Sequence, residues 1–169
     1  PLDLQASRTY DGTTTISGSN FSTFSNIVSG QTLSATGSGT VSSANVGPGN
    51  NVTSVNLALA KGSGSASNYS INSLTAEITG KPVTISGSRL YDSTTTASSS
   101  ILTVTSGVSG ESLSLTGSGV LGAASAGTQT ITNNNTLAIA DGSGGLASNY
   151  TLSGATINVT IIPRTLNVT

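Results

Sequence analysis

Ser7-Arg8-Thr9-Tyr10-Asp11-Gly12-Thr13-Thr14-Thr15 is followed, 81 residues on, by Ser88-Arg89-Leu90-Tyr91-Asp92-Ser93-Thr94-Thr95-Thr96. In a chain with 7% charged and 4% aromatic residues, the joint return of Arg, Tyr and Asp admits two explanations. Either the three residues form a reactive cluster, or they form a joint used once per unit of a repeated architecture. Comparison of the chain with itself favours the joint.

At an offset of 81, Pro1 meets Pro82, and Leu2 and Leu4 meet Val83 and Ile85. The offset then falls to 80, where Val28-Ser29-Gly30 meets Val108-Ser109-Gly110 and Gly37-Ser38-Gly39 meets Gly117-Ser118-Gly119. The additional glycine in Gly144-Gly145 restores 81, so that Ala66-Ser67-Asn68-Tyr69 meets Ala147-Ser148-Asn149-Tyr150. Single-residue changes in glycine-rich loops are what surface connections tolerate. The chain therefore reads as a tandem repeat of whole units: residues 1–81, residues 82–163, and a tail 164–169 that is a linker or the first strand of a further repeat. The tail's resemblance to the passage opening the second unit leads us to expect more copies beyond both ends.

Apolar residues alternate at period two in Leu2-x-Leu4, Leu33-x-Ala35, Val55-x-Leu57-x-Leu59, Val83-x-Ile85, Leu102-x-Val104, Leu113-x-Leu115, Leu137-x-Ile139 and Ile157-x-Val159-x-Ile161. Such runs, bounded by Ser-Gly, Gly-Pro and Asn-rich turns, predict half-buried strands, about six or seven per unit, and nearly exclude helix. The expected fold is all-β: two tandem antiparallel β-sandwich units of immunoglobulin-like size, arranged as an elongated pair. A parallel β-helix competes, because Gly-Ser pairs recur at 37, 62, 87, 117 and 142. The sequences between those marks do not resemble one another, whereas the long copies do.

Composition removes several classes of function. Without Cys or His there is no disulfide, no thiol nucleophile and neither of the commonest general base and metal ligand. The five basic residues, Arg8, Lys61, Lys81, Arg89 and Arg164, are dispersed, so no stripe exists to neutralise a phosphate backbone, and no nucleic-acid partner is expected. No apolar run reaches 18 residues, and membrane insertion is not expected. Ser and Thr make up about a third of the chain, but the patterned 34% of hydrophobic residues argues for folding over disorder.

The candidate residues fall into two repeated groups. In the first, Tyr10 and Tyr91, like Tyr69 and Tyr150 in the second, are expected to anchor a corner by a buried ring and a hydroxyl bonded to backbone. Asp11 and Asp92 would fix a turn by accepting a backbone N–H two residues on. Arg8 and Arg89 would pair with them across it, an exposed pair contributing about 0 to 1 kcal/mol. The second group is Asn68-Tyr69 and Asn149-Tyr150, read as a turn into the last strand, with sugar stacking on Tyr as the functional alternative. Phe21 and Phe24 face Ile101 and Val104 and read as core. One carboxylate per unit without a second acid nearby argues against acid–base chemistry, so neither enzyme activity nor any cofactor is expected. No metal is expected either: Asp141-Gly142-Ser143-Gly144-Gly145 looks like half a calcium-binding repeat, but its counterpart begins with Lys61, and a flexible turn is the better reading. Seven Asn-x-Ser/Thr sites, little above chance in so Ser/Thr-rich a chain, are no evidence of glycosylation. Thr103-x-Thr105 and Thr130-x-Thr132 raise ice binding as a remote alternative, without a regular ladder to support it.

With Tyr-Asp-Gly-Thr-Thr-Thr, Val-Ser-Gly-Gln/Glu, Ala-Ser-Asn-Tyr-Ser/Thr and the closing basic linker in order, the chain resembles the YDG repeats of large bacterial haemagglutinin-like adhesins. The resemblance covers nearly the whole chain twice, and Ser93 departs from the triplet where Gly12 keeps it. It implies a stalk module of a secreted or outer-membrane-associated protein of a Gram-negative bacterium, and supplies no catalytic residues. Its expected partners are neighbouring repeats of the same chain, with host or matrix glycans or proteins bound through other parts of the parent. A low-affinity, multivalent glycan- or matrix-binding module is the alternative.

Overall fold

The computed structural model describes residues 1–54 and 56–166. The chain divides into two compact units, Pro1–Gly80 and Lys81–Thr169. Lys81 thus opens the second unit, one residue earlier than the sequence boundary, because it is the first residue of a strand.

Unit 1 contains β1 (Leu2–Thr9), β2 (Thr15–Ser17), β3 (Phe21–Ser25), β4 (Leu33–Thr36), β5 (Ser38–Val41), β6 (Gly47–Ser54), β7 (Ala58–Lys61) and β8 (Ile71–Thr79). Its main sheet runs β2-β5-β6-β8-β1-β3, with β4 and β7 as a separate pair. The two halves of β6 serve different partners: Gly47, Asn50 and Asn51 pair with β8, and Val52–Ser54 pair with β5. Unit 2 repeats the plan with β9 (Lys81–Leu90), β10 (Thr96–Ser98), β11 (Leu102–Thr105), β12 (Leu113–Thr116), β13 (Ser118–Leu121), β14 (Gly127–Gln129), β15 (Ile131–Asn133), β16 (Ala138–Asp141) and β17 (Tyr150–Ile162). Here β14 and β15 stand for the two halves of β6, giving sheets β11-β9-β17-β14 and β10-β13-β15 beside the β12-β16 pair. Single 3-10 turns precede β3, β8, β11 and β17.

Alternation builds the core as expected for strands with one buried face. Leu2, Leu4 and Ala6 of β1 are buried, as are Val83 and Ile85 of β9. In unit 2, Ala97 of β10 and Leu121 of β13 pack with Val159 and Ile161 of β17, flanked by Ile101, Leu102 and Ile131. Each fully buried Leu, Ile or Val stabilises its unit by about 1.5–3 kcal/mol relative to exposure. The cluster packs residues of two sheets of unit 2 against one another, and the units are all-β and sandwich-like. Phe21 is buried and Phe24 half-buried. Val55, expected to share a strand with Leu57 and Leu59, lies outside the described residues, as do residues 167–169 of the tail.

Two details differ from the sequence reading. The first and last strands of each unit pair in parallel, β1 with β8 and β9 with β17, within otherwise antiparallel sheets. The second is an insertion in β17 that is two residues longer than the one in β8, where only Asn72 is unpaired between Ile71 opposite Leu2 and Ser73 opposite Asp3. Thr151 faces Pro82 and Thr156 faces Thr84, so Leu152–Ala155 bulge opposite Val83 alone. Ser7 faces Glu77 in unit 1 and Ser88 faces Thr160 in unit 2. The counterpart of Glu77 is therefore Thr160 and not Asn158, the partner a constant offset assigns.

Candidate functional site

Arg8 and Arg89 occupy the inward parity of their strands, two residues beyond Ala6 and Gly87, so each side chain emerges from the end of the core. Its side chain is only 7% exposed in Arg8 and 9% in Arg89. The expected exposed pair is therefore exposed only on its Asp side, where Asp11 and Asp92 are 50% and 42% exposed; the arginine's aliphatic stem covers the edge of the core while the guanidinium reaches the following turn. In unit 1, Arg8 donates through Nη1 to Asp11 Oδ1 and through Nη2 to the Thr13 carbonyl. Arg89 does the same with Asp92 and Thr94. The Nε of both arginines is buried without a hydrogen-bond partner.

Asp11 Oδ1 also accepts from Thr13 N at 2.9 Å and Thr13 Oγ1 at 2.8 Å. Asp92 accepts from Thr94 N at 2.9 Å and Thr94 Oγ1 at 2.8 Å. The Thr94 backbone and hydroxyl bonds, with Arg89 behind them, lower the Asp92 pKa from 3.8 to about 2. Around Asp11 burial opposes ionisation, but the Thr13 bonds and Arg8 outweigh it and the pKa is again lowered. A carboxylate so engaged stays anionic and is poorly suited to carrying a proton near neutral pH. Gly12 and Ser93 both hold a positive φ, 79° and 62°, so the turn is the same in the two units and the serine bears the strain that glycine avoids.

The two tyrosines that follow the arginines are not equivalent. Tyr10 is 5% exposed, whereas Tyr91 is 41% exposed, which corrects the expectation of a buried ring at both corners. Tyr91 borders a cavity of about 550 Å³ lined by Ser125, Ala126, Pro163, Arg164 and Leu166. Ser125 and Ala126 are small, and unit 1 has Asn45 and Val46 at the matching sequence positions. Arg164 Nε donates to the Tyr91 carbonyl at 2.7 Å.

The second group forms a clasp at another place in the unit. Tyr69 Oη donates to Gln31 Oε1 at 2.6 Å and accepts from Val28 N at 3.3 Å. Tyr150 Oη donates to Glu111 Oε2 at 2.6 Å. The hydroxyls thus reach the loop before β4 or β12: Tyr69 meets the expected backbone partner there in Val28 N, and both also bond a side chain, Gln31 or Glu111. Beside each clasp, Thr32 N donates to Ser63 Oγ at 2.9 Å, and Ser143 N donates to Ser112 Oγ at 2.9 Å. Asp141 Oδ1 accepts from Ala147 N at 2.7 Å, so the glycine-rich Asp141–Gly145 segment is a hydrogen-bonded turn, not a loose one. Tyr150 and Asn149 are buried, Tyr69 is half-buried and Asn68 is exposed.

The backbone N–H groups of Thr13 and Thr94 are the donors expected two residues after each Asp. Sequence reasoning missed their hydroxyls and carbonyls, and it missed Gln31 and Glu111, although each recurs at a matching place in the repeat. It also missed Asp3, whose carboxylate accepts from Ser73 Oγ at 2.6 Å and Asn72 Nδ2 at 2.8 Å. Those bonds lower its pKa. Among the described residues no helix is long and apolar enough to cross a membrane.

Two copies of one small β-sandwich-like unit, each tied by the same arginine-bound turn and the same tyrosine clasp, define a tandem-repeat protein of all-β modules. The family described as the YDG domain matches residues 2–76 and again 75–158, and the chain belongs to that family. Neither a curated protein nor a solved structure matches the chain significantly.

Proposed function

We propose that the chain is a structural spacer: a stalk module of a bacterial cell-surface or secreted adhesin that carries a binding region away from the cell. The observation that supports this reading is the duplication itself, two YDG units in tandem with only Gly80 between the last strand of one and the first of the next. The polar side chains that recur between units are engaged in ties within their own unit, as expected of groups that hold a shape. On this reading the partners are neighbouring repeats, and host or matrix ligands belong to other parts of the parent protein on the surface of a Gram-negative cell.

Small-angle scattering tests the proposal, with an elongated particle expected for the 169-residue chain. Two units packed side by side would overturn it. The rival, a glycan- or matrix-binding module, draws on one feature: the half-buried Tyr69 borders a shallow hollow with Leu59, Ala66, Ser67 and Ile71. Its counterpart Tyr150 is 6% exposed and offers no free ring face. Saturable glycan binding that disappears in Tyr69→Ala, with the fold retained, would favour that rival.

A further inference from the structure

The spacer reading leaves open how a unit withstands tension, and the topology bears on it. In unit 1 the first strand pairs in parallel with the last, from Leu2 opposite Ile71 to Thr9 opposite Thr79. In unit 2 the pairing runs from Lys81 opposite Tyr150 to Leu90 opposite Ile162. When the first and last strands of a unit are parallel, the chain enters at one end of the pair and leaves at the other. Tension between those points acts along the strands and loads the whole ladder in shear. An antiparallel terminal pair would place both points at one end, where the bonds open one after another.

Three further features reinforce the pair. Both strands are interior to their sheet, β1 between β8 and β3, and β9 between β17 and β11. Their inward residues Leu2, Leu4, Ala6, Ala76 and Ile78 in unit 1, with Val83, Ile85, Val159 and Ile161 in unit 2, are buried, so water reaches a strained bond poorly. Backbone bonds extend the ladder past its ends: Leu2 N donates to Ser70 O at 2.7 Å, Tyr10 N to Thr79 O at 2.9 Å, and Tyr91 N to Ile162 O at 2.8 Å.

We propose that this parallel pairing of first and last strands is a force clamp that makes each unit a load-bearing element. The proposal rests on the spacer reading for its use in the cell, but not for its mechanics. The chain has no cysteine, so a pair introduced by substitution gives two unique handles for single-molecule pulling. In the full chain, Pro1→Cys with Thr79→Cys loads unit 1 in shear, while Pro1→Cys with Ser70→Cys peels the same strands from one end. Shear is expected to require a several-fold higher unfolding force at equal pulling speed. Pro82→Cys with Ile162→Cys, against Pro82→Cys with Thr151→Cys, repeats the comparison in unit 2 and answers should a unit 1 variant fail to fold. Released length of about 3.3–3.6 Å per residue identifies each event. Equal forces in the two geometries overturn the clamp. An elongated particle in scattering with equal forces would retain the spacer and discard the clamp, whereas a compact particle with unequal forces would do the reverse.

Discussion

Tyr150 donates a hydrogen bond from its phenolic hydroxyl to Glu111 Oε2 at 2.6 Å, and at the matching place Tyr69 donates one to Gln31 Oε1 at the same distance. The two units therefore make one tie with two acceptors, a carboxylate and an amide. Hydrogen bonds to charged groups contribute more than neutral ones. Tyr150→Phe is expected to destabilise unit 2 by about 1.5–3 kcal/mol and Tyr69→Phe to destabilise unit 1 by about 0.5–1.5 kcal/mol. Urea unfolding of each variant measures both, and an equal cost would show that the acceptor's charge is immaterial.

Ser93 holds a φ of 62° where unit 1 has glycine. Ser93→Gly relieves a left-handed conformation that an L side chain adopts at a cost of about 1–2 kcal/mol, partly offset by the glycine's greater freedom when unfolded. A gain of about 0.5–1 kcal/mol is expected for unit 2, and Gly12→Ser should cost unit 1 a similar amount. Thermal unfolding of the two variants checks the symmetry.

Arg8 and Arg89 each bind an Asp carboxylate with one guanidinium nitrogen and a Thr carbonyl with another. Lysine, with one ammonium, cannot span both acceptors in this planar way. Arg89→Lys is expected to cost about 1–3 kcal/mol, the range of a charge-assisted bond lost from a buried position. A loss no larger than that of an exposed surface Lys exchange would place the guanidinium outside the stabilising contacts.

Acid should weaken both units by the same chemistry. The folded-state pKa of Asp92 lies near 2, below its ordinary 3.8, so its contribution is complete above about pH 4 and lost as pH falls through 2. The lowered pKa values of Asp3 and Asp11 act in the same direction. Urea midpoints should be level at mildly acidic pH and fall between pH 4 and 2. Asp92→Asn, which retains an acceptor oxygen without the charge, should flatten the unit 2 part of that fall.

Gly117 has a φ of 75°, and a Cβ there would lie 2.0 Å from the Thr136 carbonyl oxygen. Gly110 has a φ of 82° with nothing within 4 Å of the same atom. Gly110→Ala should cost about 1–2 kcal/mol from conformation alone. Gly117→Ala should cost more than about 3 kcal/mol, because backbone must also move. The difference, read from chemical unfolding, isolates the steric part.

Much of the fold was legible. Alternation in Leu2-Leu4 and Val83-Ile85 located both first strands and their buried faces, and the repeat located the units. The Asp11 turn was legible because an aspartate two residues before a backbone N–H has a local geometry that needs no distant partner. What alternation cannot encode is a strand's partner or direction, and so the parallel pairing was invisible. Leu152–Ala155 was missed because the offset of 81 set by Tyr69 and Tyr150 was carried on through a Ser- and Gly-rich segment in which an insertion leaves no apolar mark. Tyr91 was misjudged because its burial depends on Ser125 and Ala126, small residues far away in the chain.

The parallel pairing also governs the order in which a unit can be completed. The partner of β1 is the last strand of its unit, so during synthesis β1 lacks one neighbour until β8 has been made. Folding must await a contact between the ends of the unit, which makes it slow for its size. A break inside a unit strands two interior strands with open hydrogen-bonding edges, a starting point for aggregation. Proteolysis should therefore yield durable fragments only when it cuts between units, and Gly80 is the place where a cut leaves both closing pairs intact.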